Sequence, residues 1–391
     1  MPRVAPFRGL RYDPTVAGPL AGLTTPPYDV ISEPGRHRYR EASSFNVVHV
    51  DLAEGSDDPD DPDNRYDRAA ALLTSWEASG ALVRAEAPRY YAYELSWAQP
   101  DGAAALLRGV FVALELEPWG GSIIPHEHTM PGPVEDRLRL LRATATHLSP
   151  IYGTVSGPCV PLLQLLARTC AGAPAEELLD EEGVRHRLWE IPGDEPIDAW
   201  LQTEDLLIAD GHHRYTTALA YRDERHATEG PGPWDAILAL IVDAGTQAVP
   251  VLPYHRVQVA GDPPPSGRPA ADLDDVLAHL SDEGLVVGVI SRGGDGPAYG
   301  LLDLDGKPPV VRALHDQLLD DVAPGEALRF THSAEDAERS VVAGDAIAAY
   351  LLPPTTPVRV LTAIEHGARL PRKSTFFWPK PRTGMLFMPV R

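Results

Sequence analysis

The chain is short of cysteine, of positive charge and of long apolar runs. Cys159 and Cys170 are the two cysteines among 391 residues. Their spacing fits no zinc or redox motif, and so few thiols in so long a chain point to a reducing compartment without a disulfide framework. Lysine and arginine number 34 against 56 acids, a formal net charge of −22. A nucleic-acid surface needs a basic stripe that neutralises phosphates, so that partner is excluded. A small anionic ligand is not, because it needs only a local cluster of donors. No stretch approaches the roughly 20 apolar residues that span a bilayer, and no apolar run follows Met1-Pro2-Arg3-Val4-Ala5-Pro6 as a signal peptide would require. The expectation is a cytoplasmic protein with no membrane partner.

What is present is an ordinary globular composition. Hydrophobic residues make up 43%, enough for a sizeable core. The 40 prolines and 33 glycines indicate loop-rich connections. At roughly 100–200 residues per domain the length allows two or three. Gly261–Pro269 is the richest Pro/Gly break, so residues 1–260 are expected as an N-terminal α/β domain and 270–391 as a C-terminal one.

Pro26-Pro27 excludes helix and imposes an extended entry. Phe45–Val50 is β-branched and reads as a strand. Ala69, Leu72, Leu73 and Trp76 recur at the spacing of a buried helix face within 66–78. Arg89–Leu95 and Leu107–Leu114 read as paired strands joined near Asp101-Gly102. An arginine-rich helix is expected to form within 126–141. Further strands are expected at Leu206–Ala209, Ala236–Val242, Leu285–Ile290 and Ala348–Leu352, with helices at Asp272–Leu280 and Ala334–Ala343. No internal repeat is found. The pattern is α/β (α+β), with mixed sheets flanked by helices.

The most informative stretch is Ala209-Asp210-Gly211-His212-His213-Arg214-Tyr215. A short apolar strand precedes it. Tyr215, Ala218, Leu219 and Arg222 follow at helical spacing, so the polar run sits where a strand turns into a helix. The first helical turn has unpartnered amides and the positive end of the helix dipole. Glycine lets an anion approach the backbone, and Arg214 adds a two-pronged grip on phosphate oxygens. Asp210 falls at or near the N-cap. His212 and His213 diverge by about 100°, so one faces a ligand and the other the protein. The plainer alternative is that Asp210 caps the helix, the histidines lie on the surface and Arg214 makes a salt bridge.

Three other clusters carry chemistry-bearing side chains. Pro125-His126-Glu127-His128-Thr129 offers a His-x-His pair and a carboxylate, which suits a metal if extended; a polar loop is the alternative. In the helix beyond it, Arg139 and Arg142 share a face and Arg137 does not. Pro26-Pro27-Tyr28-Asp29 presents a carboxylate on a rigid turn, or is simply a turn. Lys373-Ser374-Thr375 places an amine beside two hydroxyls, a combination that suits phosphate or carboxylate.

Together these segments resemble the domain of unknown function 1015 family of bacteria and archaea, over nearly the whole chain. The resemblance rests on Pro6-Phe7-Arg8-Gly9, Pro26–Val30, His126–Thr129, Asp136–Thr144, Ser149–Gly153, Ala209–Tyr215 and Lys373–Lys380. The Asp-Gly-His-His-Arg run is also similar to the signature of the ParB/sulfiredoxin-like nucleotide-binding fold, in which a Gly/His/Arg turn at a helix start holds nucleotide phosphates. Free serine kinases of that superfamily carry a similar run. The resemblance implies a ParB/sulfiredoxin-like core with a C-terminal α/β segment, and a phosphotransferase acting on free serine or phosphoserine with ATP or ADP and magnesium.

In that reading Gly211, His212, His213 and Arg214 bind phosphate, with Arg137, Lys373, Ser374 and Thr375 assisting. Asp210 positions a hydroxyl or magnesium. Catalytic roles fall to Asp210, His213, Glu127 and Asp29, with Glu33 as a further candidate base. Arg8, Tyr28, His126 and His128 are assigned to substrate. No metal ligand is assigned, and a homo-oligomer is compatible with the sequence. Two other readings stay open: a metal-dependent hydrolase using the His-Glu-His cluster, and a non-catalytic nucleotide-sensing protein.

Overall fold

The computed structural model describes all residues except 59, 100, 128, 202–204, 266, 294–295, 321–326 and 365–368. The backbone gathers into two units. One comprises Met1–Pro125, Thr129–Ala248 and Pro379–Arg391; the other comprises His126–His128 and Val249–Trp378. The division falls after Ala248, ahead of the Gly261–Pro269 segment. The reason is strand pairing: His255–Gln258, which precedes that segment, is hydrogen-bonded into the sheet of the second unit. The last thirteen residues return to the first unit.

Among the described residues, the first unit is built on a nine-stranded sheet. In chain order its strands are β1 (Val4–Ala5), β2 (Arg89–Ala98), β3 (Ala104–Glu115), β4 (Ile123–Pro125), β5 (Ile151–Val155), β6 (Glu176–Leu179), β7 (Arg185–Pro192), β8 (Leu206–Asp210) and β9 (Ala236–Asp243). Their order across the sheet is β4-β8-β5-β9-β3-β2-β7-β6, with β1 added to β3. The sheet is mixed: β8 runs parallel to β4 and β9 parallel to β5, and the other pairs are antiparallel. The expected β2–β3 hairpin is present, with Tyr91 opposite Phe111.

Strand β9 is buried along almost its whole length, as expected of a strand covered on both faces. Val110, Val112 and Leu114 of β3 join a core with Leu162, Leu165 and Leu166 of the helix Val160–Thr169 and with Tyr215 and Ala218. Phe111, between them, packs on Tyr93 with ring centroids 4.9 Å apart.

The helices that matter for the site are α1 (Val48–Asp51), α2 (Arg65–Ala78), α3 (Pro131–Thr144) and α4 (His212–Thr228). Helix α1 corrects the strand expected at Phe45–Val50. The Asn46 side chain accepts from the Val48 amide at 2.9 Å and donates to the Gly22 carbonyl at 2.8 Å. That local bonding turns the backbone, and Val47, Val48 and Val50 are fully buried in the turn rather than paired in a ladder.

The second unit carries a six-stranded sheet. Its strands are β10 (His255–Gln258), β11 (Arg268–Ala270), β12 (Val286–Gly293), β13 (Gly296–Asp303), β14 (Leu328–Thr331) and β15 (Ala348–Leu351), in the order β11-β13-β12-β15-β10-β14 and all antiparallel. Helices Leu273–His279 and Ala334–Ala343 match the periodicity read from the sequence. Val276, Ala337 and Val341 pack with Val257, Ile290 and Leu351 of the sheet. Both units are thus mixed α/β. Among the described residues no helix is long and apolar enough to cross a membrane.

Candidate functional site

The strand–helix junction forms where the sequence places it. Strand β8 ends at Asp210, its register against β5 shifts between Ile208 and Asp210, and α4 starts at His212. An irregularity of this kind re-aims the side chains beside it. Gly211, not Asp210, is the N-cap residue; its φ is 97°, in the left-handed region. A Cβ there would lie 2.9 Å from Ile151 Cγ2 and 3.1 Å from the Arg214 guanidinium, so both the turn and the close approach require glycine.

Asp210 is engaged instead by two cations. Arg214 Nη2 donates to its Oδ2 and Lys380 Nζ to its Oδ1. Arg214 Nη1 also donates to the Pro150 carbonyl and, at 3.2 Å, to Ser149 Oγ. The salt bridge of the plainer reading therefore exists, and the N-cap position belongs to Gly211. The two histidines diverge as expected. His212 is buried and stacks on Trp119 at 6.4 Å between ring centroids. His213 Nε2 accepts from the Met130 amide at 3.0 Å, which puts its proton on Nδ1.

Beside the junction is a small open pocket. Tyr28, Asp51, Arg137, His147, Ser149, Arg214 and Thr217 are among the side chains that line it. Helix α3 divides its arginines between two environments. Arg139 and Arg142 both meet Glu135 at the surface, whereas Arg137 is buried and lines the pocket. Arg137 Nη1 donates to Asp51 Oδ1 at 2.8 Å and to the Asp51 carbonyl at 2.9 Å; its Nε donates to Asp136 Oδ2 at 2.7 Å. Its guanidinium lies 4.4 Å over the Tyr28 ring, a cation–π contact.

Electrostatics follow from burial. Arg137 is buried, which alone would lower its pKa, but Asp51 and Asp136 raise it above the usual value. For Asp136, burial alone would raise the pKa, and Arg137 and Arg65 pull it below the usual carboxylate range. For Asp51 the balance goes the other way: burial outweighs Arg137 and Arg214 and raises its pKa. Burial, reinforced by Asp29, also pushes the Tyr28 phenol up. Burial lowers His147 to about 4, so it is neutral near pH 7.

The structure thus brings Tyr28, Arg137 and Arg214 together, from segments far apart in the chain. Asp29 and Arg8 are exposed, and neither lines the pocket. Arg8 Nε donates to the Ala85 carbonyl at 2.9 Å. Asp51, Ser149 and Lys380 were not singled out from sequence. Ser149 and Lys380 lie inside runs that carry the family resemblance. Asp51 follows a segment read as a strand and gave no signal.

Another group of expected site residues converges in the second unit. His126 Nε2 is 2.7 Å from Thr375 Oγ1, and the Ser374 amide donates to Glu127 Oε1 at 3.1 Å. Lys373 Nζ lies 5.1 Å over the Tyr254 ring. The buried Arg256 donates to the carbonyls of Arg372 and Lys373 at 3.2 and 2.8 Å, and burial lowers its pKa to about 9. His128 lies outside the described residues. Among the described residues no three His, Cys, Asp or Glu side chains are grouped to hold a metal ion.

Among solved structures, the chain is similar to a free serine kinase in complex with AMP, at 14% identity over 72% of this chain and 91% of that one, with a TM-score of 0.39. It is similar to a conserved hypothetical protein from Pyrococcus furiosus at 15% identity, 70% and 93% coverage and a TM-score of 0.33. It is also similar to C-terminally truncated SbnI from Staphylococcus aureus, at 12% identity, 67% and 82% coverage and a TM-score of 0.33. No curated protein matches the chain. The family described as "Protein of unknown function (DUF1015)" matches residues 4–265. Two thirds of the sequence fall within that match, and the chain belongs to this family.

Proposed function

We propose that the chain is a small-molecule phosphotransferase that moves phosphate between a nucleotide, ATP or ADP, and the hydroxyl of free serine. The observation that supports this most is the convergence of Arg137 and Arg214 on one pocket, next to the start of α4. Phosphoryl transfer asks a protein mainly to position the reactants and to offset the charge of the transferring group. Two guanidiniums, a helix N-terminus and the Ser149 hydroxyl suit that task. The likeness of Asp-Gly-His-His-Arg to the run in free serine kinases supports the same reading.

In this reading Arg214 and Arg137 hold phosphate oxygens, Gly211 lets them approach the backbone, and Tyr28 covers the Arg137 side of the pocket. His213 is a further candidate to contact a ligand oxygen. Asp210 holds Arg214 and Lys380 in place. With both its oxygens already bonded to cations, it is a poor magnesium ligand. Magnesium would therefore enter on the nucleotide phosphates, as it commonly does. A cytoplasmic location accords with Cys159 and Cys170, which form no disulfide.

The test is direct. The full chain is incubated with a nucleotide, magnesium and a mixture of hydroxy amino acids, and the products are weighed by mass spectrometry. A gain of one phosphate on serine is expected. Nucleotide binding with no phosphorylated product would leave a non-catalytic nucleotide binder.

A further inference from the structure

Asp51 ends the short helix α1 and is 4% exposed. One carboxylate oxygen is accounted for: Oδ1 accepts from Arg137. The other, Oδ2, is shielded from water and has no hydrogen-bond partner among the described residues. A buried carboxylate oxygen without a donor is costly, and native proteins seldom keep one without a reason. The residue nevertheless lines the pocket that holds Tyr28, Arg137 and Arg214. Burial raises its affinity for a proton despite the two arginines nearby. The feature missing from this site is a donor that arrives with the ligand, and a hydroxyl group is one.

We propose that Asp51 is the proton acceptor of the site, its Oδ2 taking the proton of the substrate hydroxyl. The inference rests on the phosphotransferase reading and names the base that reading lacks. As the O–H bond breaks, its electron pair forms the bond from the hydroxyl oxygen to the terminal phosphorus of the nucleotide. The bond from that phosphorus to the bridging oxygen breaks, and the shortened nucleotide leaves with that pair. The proton stays on Asp51 until product release returns it to solvent. Arg137 keeps Oδ1 occupied and so aims Oδ2. Asp29 and Glu33, the acids nearest in sequence to Tyr28, are both exposed and do not line the pocket.

The experiment compares wild type with Asp51→Asn in two assays: calorimetric titration of ATP and ADP with magnesium, and mass-spectrometric measurement of phosphoserine formed from serine. Loss of a general base costs about 10²–10⁴-fold in rate. The expected result is a turnover loss of at least about 100-fold, with nucleotide affinity kept within about threefold. Turnover by Asp51→Asn within about threefold of wild type would overturn the role of Asp51 and leave the phosphotransferase reading standing. A wild type that neither binds nucleotide nor phosphorylates serine would overturn both. Should Asp51→Asn fail to fold, Asp51→Glu carries the test. It keeps a charge for Arg137 but displaces the accepting oxygen, so a folded Asp51→Glu protein working at the wild-type rate refutes the assignment.

Discussion

Lys380 reaches back across 170 residues to bond Oδ1 of Asp210, whose other oxygen is held by Arg214. Lysine, arginine and aspartate together carry one net positive charge at the start of α4, where the helix dipole is also positive. In a protein with a net charge of −22, this is a local reversal of sign. In the phosphotransferase reading proposed above, this is where the anion is drawn in.

The coupling between these two residues is measurable. Their side chains are 9% and 14% exposed, so the pair is only weakly screened by solvent. A double-mutant cycle with Asp210→Asn and Lys380→Met, followed by urea denaturation, is expected to yield an interaction energy on the order of 1–3 kcal/mol. Additive effects of the two substitutions would mean that the pair holds nothing together.

Gly211→Ala introduces a methyl group where φ is 97° and where Ile151 and Arg214 already crowd the position. The strain and the clash are expected to cost about 1–3 kcal/mol of stability. Because the new Cβ presses on the Arg214 guanidinium, nucleotide affinity should fall as well. Chemical denaturation and calorimetric titration read the two effects, and an unchanged denaturation midpoint would contradict the first.

Arg214→Ala is expected to weaken nucleotide binding by about 1.5–3 kcal/mol, the range for hydrogen bonds to charged groups. Stability should fall too, because Asp210, Ser149 and the Pro150 carbonyl all lose a donor. Affinity equal to that of wild type in a folded variant would remove Arg214 from the ligand site.

His147 makes stability depend on pH. Burial lowers its pKa from 6.5 to about 4, so below pH 6.5 the unfolded chain takes up a proton that the folded chain refuses. Its contribution is complete above about pH 6.5 and is lost as pH falls toward 4, up to about 3 kcal/mol in all. Between pH 7 and pH 5 the wild type is expected to lose about 2 kcal/mol through this residue. His147→Gln should show a correspondingly shallower slope in denaturation measured at the two pH values. Parallel slopes would show that His147 does not titrate differently in the two states.

Much of the architecture was legible in the sequence. The β2–β3 hairpin follows from two strand-like runs joined near Asp101-Gly102 and the helix Ala334–Ala343 from its period, because such signals are local in the chain. The segment Phe45–Val50 failed for an equally local reason. Asn46 bonds the backbone into a turn, and valines that favour strands are buried in a short helix instead. Proline and glycine content cannot reveal that His255–Gln258, ahead of the Gly261–Pro269 segment, is paired into the second sheet.

By itself the sequence determined the mixed α/β class, the net negative charge and the strand-to-helix turn at Asp210–Arg214, since composition, period and a glycine in that turn are properties of neighbouring residues. Only the tertiary structure decided that Tyr28, Asp51, Arg137 and Arg214 share a pocket, that Asp210 binds Lys380, and that one oxygen of Asp51 has no donor among the described residues. Those relations depend on which distant side chains meet and on how far burial strips them of water, and neither is written in the spacing of residues along the chain.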